Sequence, residues 1–380
     1  MAVELQLLYR EIRPEYEVKL HTTSCYDRKI SWIHMVEGSE FARFLYGNEL
    51  VFNSGLNYKS DAWLKEFLTA IDRAGAGGVI IALEEGKEFP REAVDWCDER
   101  RLPLFSASWA TPYIDIMRKF SEILLKNEQR ETHLVTAMKN AIFYPDNEEL
   151  YMNHMERNGF TRDLSYRIIL MSCHTYDTDR GNYMLEDIQR KLHFSMEKLL
   201  FYEEEGKLVI LAAGDRGEYL REQLRSLCVE DPNLYIGAGT TVHRLKDIHR
   251  SYESAYTAYQ LTKTTIPKNF LAYDELGIYK ILTNVKESDL YPDFVEEVLG
   301  SLLRYDRKHK TEYVKLLKVY FENDCCGART AEALYCHKNT LTYKMNRIKE
   351  VLGYDILSNE NRVRIMVAFY ILQLGTVDVS

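Results

Sequence analysis

The most informative stretch of the chain covers residues 329–353 and reads RTAEALYCHKNTLTYKMNRIKEVLG. Residues 330–335 have the pattern of a short helix, and residues 336–338 follow as a tight turn. Asn339, whose residue type favours helix N-caps, is predicted to cap a second helix. The stretch therefore predicts two short helices that meet at an angle.

The second of these helices has one apolar face. Its apolar residues recur at i, i+4, i+7 and i+11 and are predicted to be buried: Leu341, Met345, Ile348 and Leu352. The remaining face, with the turn before it, presents His337, Lys338, Thr340, Tyr343, Lys344 and Arg347. Cations, hydroxyls and amides suit the major groove of DNA, where they meet phosphates and base edges. An ordinary surface helix of a bundle is the alternative, because basic solvated faces are common.

The charge of the chain is uneven along its length. From residue 301 onward, 13 Lys and Arg face nine Asp and Glu, which gives +4, whereas the whole chain carries -9. An acidic body therefore precedes a basic C-terminal region. This distribution argues against nonspecific coating of nucleic acid and permits one local DNA-binding region.

Length and composition restrict the class of protein. At 380 residues with 46% hydrophobic residues, the chain predicts two or three globular domains. Its apolar runs are much shorter than the roughly 20 residues of a membrane-spanning helix, and its N-terminus lacks the features of a secretory signal. We therefore expect a cytoplasmic protein without membrane contact. The seven cysteines include no C-x-x-C pair, so reduced thiols and no metal site are expected.

Two regions upstream have α/β patterns. Residues 31–128 alternate short apolar runs with amphipathic stretches, including a predicted helix at residues 61–73 and a predicted strand at residues 79–83. The glycines just before that strand predict a turn, because a phosphate loop would follow the strand. Residues 112–158 are predicted to be mostly helical, as a spacer, a dimer contact or a core-facing helix.

A second α/β region begins at about residue 166, and its predicted elements include a helix at residues 181–196. Two of its strands meet at a hairpin with the sequence EEEG, residues 203–206. The three carboxylates are interpreted as a solvated hairpin tip, with a divalent-cation site as the alternative. After Leu276 the pattern is helical only.

The stretch at the C-terminus resembles the helix-turn-helix of the purine catabolism regulatory protein (PucR) family. The family pattern TA-x-x-L-x-x-H-x-NT-L-x-Y-[RK]-x-x-R-I-x-x-x-x-G falls on Thr330, Ala331, Leu334, His337, Asn339, Thr340, Leu341, Tyr343, Lys344, Arg347, Ile348 and Gly353. Lys338 and Lys344 stand where the family often has Arg. Lysine keeps the positive charge but cannot make the two parallel hydrogen bonds of a guanidinium group.

The resemblance extends over nearly the whole chain. Residues 31–113 resemble the family's N-terminal sensor domain, including its G-x-E-L-x-x-x-x-G element at residues 47–55, and residues 160–283 resemble its GGDEF-like central domain. Enzymes with a true GGDEF motif hold GTP and metal at a hairpin that this chain replaces with YEEEGK. Without paired glycines the backbone cannot approach a phosphate closely, so the resemblance implies no cyclase activity.

The resemblance implies three domains and a linker. We expect an α/β sensor domain at residues 1–128, a helical linker at 129–159, an α+β GGDEF-like domain at 160–283, and an all-α helix-turn-helix domain at 284–380. The implied function is a ligand-responsive, DNA-binding transcriptional regulator that is not an enzyme and needs no cofactor. The alternative is a nucleotide-binding regulator or enzyme that acts through the central domain. A third hypothesis treats the C-terminal helices as a protein-interaction module.

Partners and sites follow from this interpretation. We expect an operator in double-stranded DNA and a homodimer or larger even assembly. A small-molecule effector is also expected, with purine breakdown products suggested by the family name and other nitrogen or carbon metabolites left open. DNA contacts are expected from Thr330, His337, Lys338, Asn339, Thr340, Tyr343, Lys344 and Arg347. A pocket is expected near Glu49, Asn53, Ser54, Asn57, Ser106, Ser108 and Trp109, with ordinary strand-end turns as the alternative.

Overall fold

A computed structural model describes residues 2–161, 163–173, 188, 192, 198–214, 217–266, 268–285 and 289–375. The chain divides into two compact units, Met1–Leu134 and Val135–Ser380. In the described part of the chain, no helix is long and apolar enough to cross a membrane.

The first unit is built on a five-stranded sheet in the order β2-β7-β6-β5-β4. Strands β4 to β7 are mutually parallel, and β2 pairs with β7 in the antiparallel sense. The elements of this unit are β1 (Val3–Glu4), α1 (Leu5–Ile12), β2 (Val18–Leu20), β3 (Lys29–Ile30), β4 (Trp32–Met35), β5 (Glu49–Asn53), α2 (Asp61–Arg73), β6 (Gly78–Leu83), α3 (Arg91–Arg100), β7 (Leu104–Ser108) and α4 (Tyr113–Phe143).

Alternate residues of the central strands supply two cores, one on each face of the sheet. Leu50 and Phe52 of β5 face a core shared with α1 and with the first half of α4. Val51 between them faces the core shared with α2 and α3. This period of two is the pattern of a strand covered on both faces. The predicted order of strands and helices from β4 to β7 is confirmed, and α2 has the predicted bounds.

Helix α4 is 31 residues long and continues through the predicted domain boundary at residue 128. Ile116, Phe120 and Leu124 in its first half are buried in the core of the first unit. Ala137, Met138 and Ala141 in its second half are also buried. The predicted helical stretch is therefore confirmed as one long helix that ends just before Pro145.

The second unit begins with a five-stranded sheet in the order β12-β11-β8-β10-β9. All neighbouring pairs are antiparallel except β11 and β12. Its elements are α5 (Met152–Arg157), β8 (Tyr166–Cys173), β9 (Lys198–Glu204), β10 (Lys207–Ala213), α6 (Glu218–Glu230), β11 (Leu234–Ala238), α7 (Ile248–Leu261) and β12 (Phe270–Ala272).

The hairpin between β9 and β10 turns at Glu205 and Gly206, which both have positive φ angles of 51° and 70°. This is the geometry of a two-residue turn that follows the twist of the strands. Glu204 pairs with Lys139 at 3.1 Å and Glu205 with Lys207 at 3.1 Å. Two of the three carboxylates of the hairpin, those of Glu204 and Glu205, thus have cationic partners. The predicted helix at residues 181–196 lies outside the described residues, apart from Ile188 and Leu192, which are buried.

Helix α7 lies unusually close to the sheet. A Cβ atom on Gly237 of β11 would lie 2.3 Å from the backbone nitrogen of Tyr259 and 2.5 Å from the carbonyl oxygen of Ala255. Two hydrogen bonds also join α7 to strand β8 of this sheet. The Tyr259 hydroxyl donates to Ser172 Oγ at 2.8 Å, and the backbone N–H of Ile168 donates to Ser251 Oγ at 2.8 Å. Glycine is required where helix and strand backbones approach this closely.

The chain after β12 is helical in the described residues, as predicted. The helices are α8 (Tyr279–Leu282), α9 (Leu290–His309), α10 (Tyr313–Glu322), α11 (Gly327–Ala333), α12 (Lys338–Leu352) and α13 (Asn359–Gln373). They share one core, to which α9, α12 and α13 all contribute buried residues.

The last helix also contacts the sheet domain of this unit. The Thr265 hydroxyl donates to the carbonyl oxygen of Gln373 at 2.8 Å, and the Tyr279 hydroxyl donates to Gln373 Oε1 at 2.5 Å. The ring of Tyr279 packs edge-on against Tyr370, with centroids 5.4 Å apart. Two hydrogen bonds and one aromatic contact therefore join α13 to the segment around β12 and α8.

We expect Gly237→Ala to destabilise the protein by about 1–3 kcal/mol, because the added methyl group must push α7 away from β11. Gly327→Ala is the matched control. Its Cβ would meet Leu341 Cδ2 at an ordinary 3.9 Å, and alanine favours the helix. Urea unfolding followed by circular dichroism measures both changes. Equal stability of the two variants would contradict the close approach of α7.

Candidate functional site

Helices α11 and α12 form the two-helix unit that the sequence predicts, and the turn between them spans residues 334–337. The predicted N-cap is wrong. His337, not Asn339, precedes the first turn of α12, and its Nδ1 accepts the backbone N–H of Asn339 at 3.2 Å. The imidazole of His337 thus accepts one of the backbone N–H groups at the start of α12 that have no partner within the helix. At the other end, Gly353 closes α12 in the left-handed conformation that glycine favours.

The apolar face of α12 is buried as predicted. Leu341, Met345, Ile348 and Leu352 all lie in the core of the C-terminal helices, and Ile348 is fully inaccessible. Since successive residues of a helix are about 100° apart, these four positions fix the direction of every other side chain on α12. The face opposite the core centres on Asn339, Tyr343, Asn346, Arg347 and Glu350, all of which are exposed.

Thr340 and Lys344 lie at one flank of this outward face. Thr340 is exposed, whereas Lys344 is only half-exposed because it borders the buried stripe. His337 and Lys338 are exposed at the start of the helix. A lysine at the border can extend its ammonium group along the surface while its methylenes cover apolar neighbours. Seven of the eight predicted DNA-contacting residues therefore lie on one accessible surface around the first turns of α12.

The eighth residue, Thr330, does not belong to this surface. Thr330 is fully buried, and its hydroxyl donates to the carbonyl oxygen of Cys326 at 2.9 Å. The expectation that Thr330 contacts DNA is therefore wrong. Its hydroxyl instead bonds back to the preceding turn of α11, a common arrangement for threonine in helices.

Arg347 has partners within the protein. Its Nε donates to the Tyr305 hydroxyl of α9 at 3.3 Å, and its Nη1 donates to Glu350 Oε2 at 2.7 Å. These bonds, with the one to Tyr305 first, raise the pKa of the Arg347 guanidinium. The guanidinium also lies 5.3 Å from the centre of the Tyr305 ring. The side chain is therefore held in one orientation on the outward face, with its charge partly compensated by Glu350.

The structure adds two residues to the predicted surface. Asn346 lies between Tyr343 and Arg347 on the outward face of α12 and is exposed. Tyr335 is 98% exposed in the turn before α12, with a positive φ angle of 50°. The helical period would have identified Asn346, since it is seven residues, or almost two full turns, after Asn339. No sequence signal would have shown that Tyr335 is held outward by the left-handed turn.

The residues predicted to line an effector pocket lie at two ends of the first sheet. Asn53 ends β5 and Ser108 ends β7, and the residues that follow these strands lie at the same carboxyl edge: Ser54, Asn57 and Trp109. Glu49 starts β5 and therefore lies at the opposite edge. Its carboxylate is buried and accepts the backbone N–H groups of Tyr46 at 2.7 Å and Gly47 at 2.8 Å. The expectation that Glu49 lines the pocket is wrong, because its carboxylate closes the turn before β5, at the edge of the sheet opposite Asn53.

Asn53 also serves the fold. It is fully buried, its Nδ2 donates to the carbonyl oxygen of Val36 at 2.8 Å, and its Oδ1 accepts the N–H of Gly55 at 2.8 Å. Since both ends of the amide have partners, the interpretation of Asn53 as a ligand contact is wrong. This pair of bonds fixes the loop that follows β5.

Three groups remain accessible at the carboxyl edge. Ser54 is half-buried and its hydroxyl donates to Glu37 Oε2 at 2.7 Å, while the amide of exposed Asn57 donates to the carbonyl oxygen of Glu37 at 3.1 Å. Trp109 is half-exposed. A Cβ on Gly55 would lie 3.3 Å from Trp109 Nε1, so the indole N–H is beside the same loop. The edge therefore places one carboxylate, one amide and one indole together.

Ser106 and Ser108 differ in their surroundings. Ser106 Oγ is hydrogen-bonded to His21 Nε2 at 2.7 Å. Burial, with a smaller contribution from Lys19, lowers the pKa of His21 and so favours the neutral imidazole. Ser108 Oγ accepts the N–H of Ala110 at 3.2 Å. Ser108 therefore belongs to the turn that positions Trp109, whereas Ser106 is joined to the β2 side of the sheet.

Three family models match successive parts of the chain. Residues 15–124 match the purine catabolism regulatory protein-like family, residues 145–261 match a GGDEF-like domain, and residues 313–371 match the PucR C-terminal helix-turn-helix domain. The last of these matches contains α11 and α12, and the first contains the carboxyl edge of the sheet.

Curated relatives carry regulatory names. The chain is 26% identical over 142 residues to a proline-responsive transcriptional activator of Bacillus subtilis. This aligned stretch covers 37% of this chain and 34% of that protein. It is 22% identical to a transcriptional activator of Paenarthrobacter nicotinovorans, over 90% of this chain and 92% of that protein. It is 25% identical to the purine catabolism regulatory protein of Bacillus subtilis, over 36% of this chain and 26% of that protein.

The match thus spans about a third of the length of the proline-responsive activator and almost all of the Paenarthrobacter activator. The three family models follow one another in the order of the two sheet domains and the helical C-terminal region. The chain therefore carries, in this order, a region that matches the purine catabolism regulatory protein-like (PucR) family, a GGDEF-like domain and a PucR C-terminal helix-turn-helix domain.

Proposed function

We propose that the chain is a ligand-responsive transcriptional regulator that binds double-stranded DNA through α12. The observation that carries this proposal is the outward face of α12, which combines an exposed set of polar side chains with Lys338 at its start and Lys344 at its flank: Asn339, Tyr343, Asn346 and Arg347. An exposed helix with amide, hydroxyl and cationic groups fits the width of the major groove. The regulatory names of the relatives support the same function and do not favour the enzyme alternative.

The fixed orientation of Arg347 supports a role at the DNA surface. The Tyr305 side chain and the Glu350 carboxylate restrict the guanidinium of Arg347 before DNA is bound. The side chain therefore loses less conformational entropy when DNA binds. Glu350 partly offsets the positive charge, so nonspecific attraction to phosphates is reduced at this point. We infer that Arg347 contributes to specificity more than a mobile surface lysine would.

Replacing Arg347 or Lys344 with alanine is expected to weaken operator binding about 5- to 150-fold without unfolding the protein. Loss of a phosphate contact should also reduce the slope of log affinity against log salt concentration by about one. Loss of a base contact should instead relax the sequence preference. Fluorescence anisotropy with operator DNA at several salt concentrations measures both quantities.

Two control variants separate the outward face from the rest of the helical region. Lys308→Ala removes an exposed cation of α9 and should leave binding unchanged. Leu341→Ala removes a buried side chain and should destabilise the domain by about 2–5 kcal/mol. If Arg347→Ala and Lys344→Ala both bind the operator like the parent protein at physiological salt, α12 is not the reading helix.

The effector site is proposed at the carboxyl edge of the first sheet, beside Glu37, Ser54, Asn57 and Trp109. Ligands of open parallel sheets bind outside the carboxyl ends of the strands. The indole N–H and the amide suit a polar heterocycle with carbonyl oxygens, which fits purine breakdown products. Other nitrogen or carbon metabolites are the alternatives, in keeping with the proline-responsive relative.

A ligand at this edge should raise the melting temperature of the full-length protein, because it binds the folded state only. The probes are allantoin, urate, xanthine and proline. We expect one of them to raise the melting temperature, and we expect Asn57→Ala to remove that rise. Ser31→Ala, which lies just before β4 at the opposite edge of the sheet, is the control. A rise that survives in Asn57→Ala would place the effector elsewhere.

We also propose that the protein acts as a homodimer and that the GGDEF-like domain serves assembly rather than catalysis. One reading helix covers only a few base pairs, so two copies are needed for a specific site. Among the described residues of the hairpin, Glu204 and Glu205 already pair with lysines and no glycine pair is present to approach a phosphate. These features argue for a role without GTP turnover.

Sedimentation velocity of the protein with operator DNA tests the assembly. We expect two copies of the chain on one duplex that carries two half-sites, in inverted or direct orientation. A duplex with one half-site should bind much more weakly because the second contact is lost. A complex with one copy and equal affinity for both duplexes would contradict the dimer.

A further inference from the structure

The sheet of the first unit has an open edge at β4. Within the described residues β4 is the last strand of this sheet and pairs with β5 alone. The peptide groups along its outer side therefore have no strand partner there. Open edges add strands from other chains unless proline or charged residues prevent it. The sequence of β4, WIHM, contains no proline, lysine or acidic residue.

Large apolar side chains are exposed on both faces of this edge. Ile33 enters the core shared with α1, and Val36 enters the core shared with α2. Because side chains alternate along a strand, Met35 lies on the face of Ile33 and Trp32 lies on the face of Val36. Met35 is 45% exposed and Trp32 is 46% exposed. Apolar groups thus flank the open peptide groups on both sides.

The connection from β4 to β5 extends this apolar surface. Because the two strands are parallel, the connection returns along the length of β4, and it contains a 3₁₀ helix at Ser39–Phe44. Ala42 of this helix is buried in the core shared with α2, whereas Phe41 and Phe44 are about half exposed. These two phenylalanines are three residues apart, which places them on one side of a 3₁₀ helix.

Tyr46 completes the surface near the start of β4. Its backbone N–H donates to the Glu49 carboxylate, and Glu49 is the residue that pairs with Trp32. Tyr46 itself is fully exposed. We call the five exposed side chains around this edge the β4 patch: Trp32, Met35, Phe41, Phe44 and Tyr46.

The β4 patch has the size and composition of one side of a dimer interface. Large aromatic side chains bury roughly 150–250 Å² each, so this patch, mostly half exposed, presents on the order of 500 Å² per copy. Two copies then bury ~1,000 Å² before the strand edge itself is counted, which is the size expected of a biological contact. Tryptophan, tyrosine, phenylalanine and methionine are also the residue types enriched in interfaces.

Two charges beside the patch complement those of a second copy. Glu40 and Arg43 are exposed, and neither forms an ion pair within the described part of the chain. The Arg43 guanidinium lies 4.9 Å from the centre of the Phe44 ring, so its charge borders the patch. Along the returning connection, Glu40 lies nearer the carboxyl end of β4 and Arg43 nearer its amino end. A two-fold axis through the middle of β4 exchanges these ends and brings Glu40 of one copy level with Arg43 of the other.

We propose that β4 is a homodimer interface, in which the β4 strands of two copies of this chain pair in the antiparallel sense around a two-fold axis. The two five-stranded sheets then form one continuous sheet, and the two β4 patches pack against each other across the axis. Such an axis places two identical edges antiparallel, so one surface serves both copies. The inference rests on the homodimer of the proposed function and adds a contact in the first unit to the assembly role of the GGDEF-like domain.

Sedimentation equilibrium of the full-length protein without DNA tests this interface. We expect the parent to form a dimer at micromolar concentration. The double variant Trp32→Lys, Met35→Lys places a lysine on each face of the edge and should raise the dissociation constant of the dimer at least tenfold. The double variant Leu56→Lys, Ile114→Lys changes two exposed apolar residues of the same unit outside the patch and should dimerise like the parent. Circular dichroism checks that both variants keep the fold.

Charge reversal distinguishes a second copy from any other occupant of the edge. Glu40→Arg alone and Arg43→Glu alone should each weaken the dimer at least threefold, because like charges then meet across the axis. The combined variant Glu40→Arg, Arg43→Glu restores opposite charges and should dimerise like the parent. Both residues are exposed, so these changes leave the core intact.

The proposal is overturned if the parent is a monomer at high micromolar concentration without DNA. It is also overturned if the Trp32, Met35 variant dimerises as tightly as its control, or if the combined reversal dimerises no better than the single reversals. In each of these cases, two copies on an operator with two half-sites would still support the homodimer of the proposed function and would place its contacts elsewhere. One copy on that operator would contradict both proposals.

Discussion

Burial of Leu341, Met345, Ile348 and Leu352 along one side of α12 is the contact on which the proposed DNA surface depends. Because these four side chains enter the core shared by α9, α10 and α13, the helix can neither rotate nor slide without leaving a cavity. The side chains on the opposite face are thereby fixed in direction before any partner is bound. Such preorganisation is what a reading helix needs, since specificity depends on where its polar groups point.

The same core extends beyond the reading helix through α13. One face of α13 supplies Ile365, Ala368 and Phe369 to this core, while its C-terminal residues contact the sheet domain through Gln373 and Tyr370. A change in the sheet domain that disturbs these contacts would therefore act on a helix that shares its core with α12. The hydrogen bonds of Gln373 with Thr265 and Tyr279 therefore join α13 to the segment around β12.

Much of the fold could be predicted from the sequence because helix and strand periods depend on residues that are close together in the chain. The period of α12, the bounds of α2 and the succession of elements from β4 to β7 depend on neighbouring residues. Errors arose where side chains have partners that the local pattern does not contain. His337 replaced Asn339 as the N-cap, and Thr330 bonds back to its own helix. The bond between Arg347 and Tyr305 spans 42 residues, so no local pattern could predict it.

The effector site shows a different reason for error. The motif around β5 brought Glu49 and Asn53 into one group, although a strand places its first and last residues at opposite edges of the sheet. Strand direction alone would have separated them. The full occupation of the Asn53 amide by Val36 and Gly55 could not be read from sequence, because it depends on the path of two loops. The sequence pattern therefore grouped residues that the sheet places at opposite edges.

Selection of DNA from a random-sequence library by the full-length protein tests the central claim most directly, because the protein itself chooses its site from all sequences. If α12 reads DNA as one of two copies in a dimer, one short motif is enriched and occurs twice in each selected duplex. A reading role for α12 also predicts that changing Asn346 to alanine alters the preferred bases of that motif while its spacing is kept. Absence of an enriched motif, or a motif identical in the parent and in Asn346→Ala, Tyr343→Ala and Arg347→Ala, would contradict a reading role for α12.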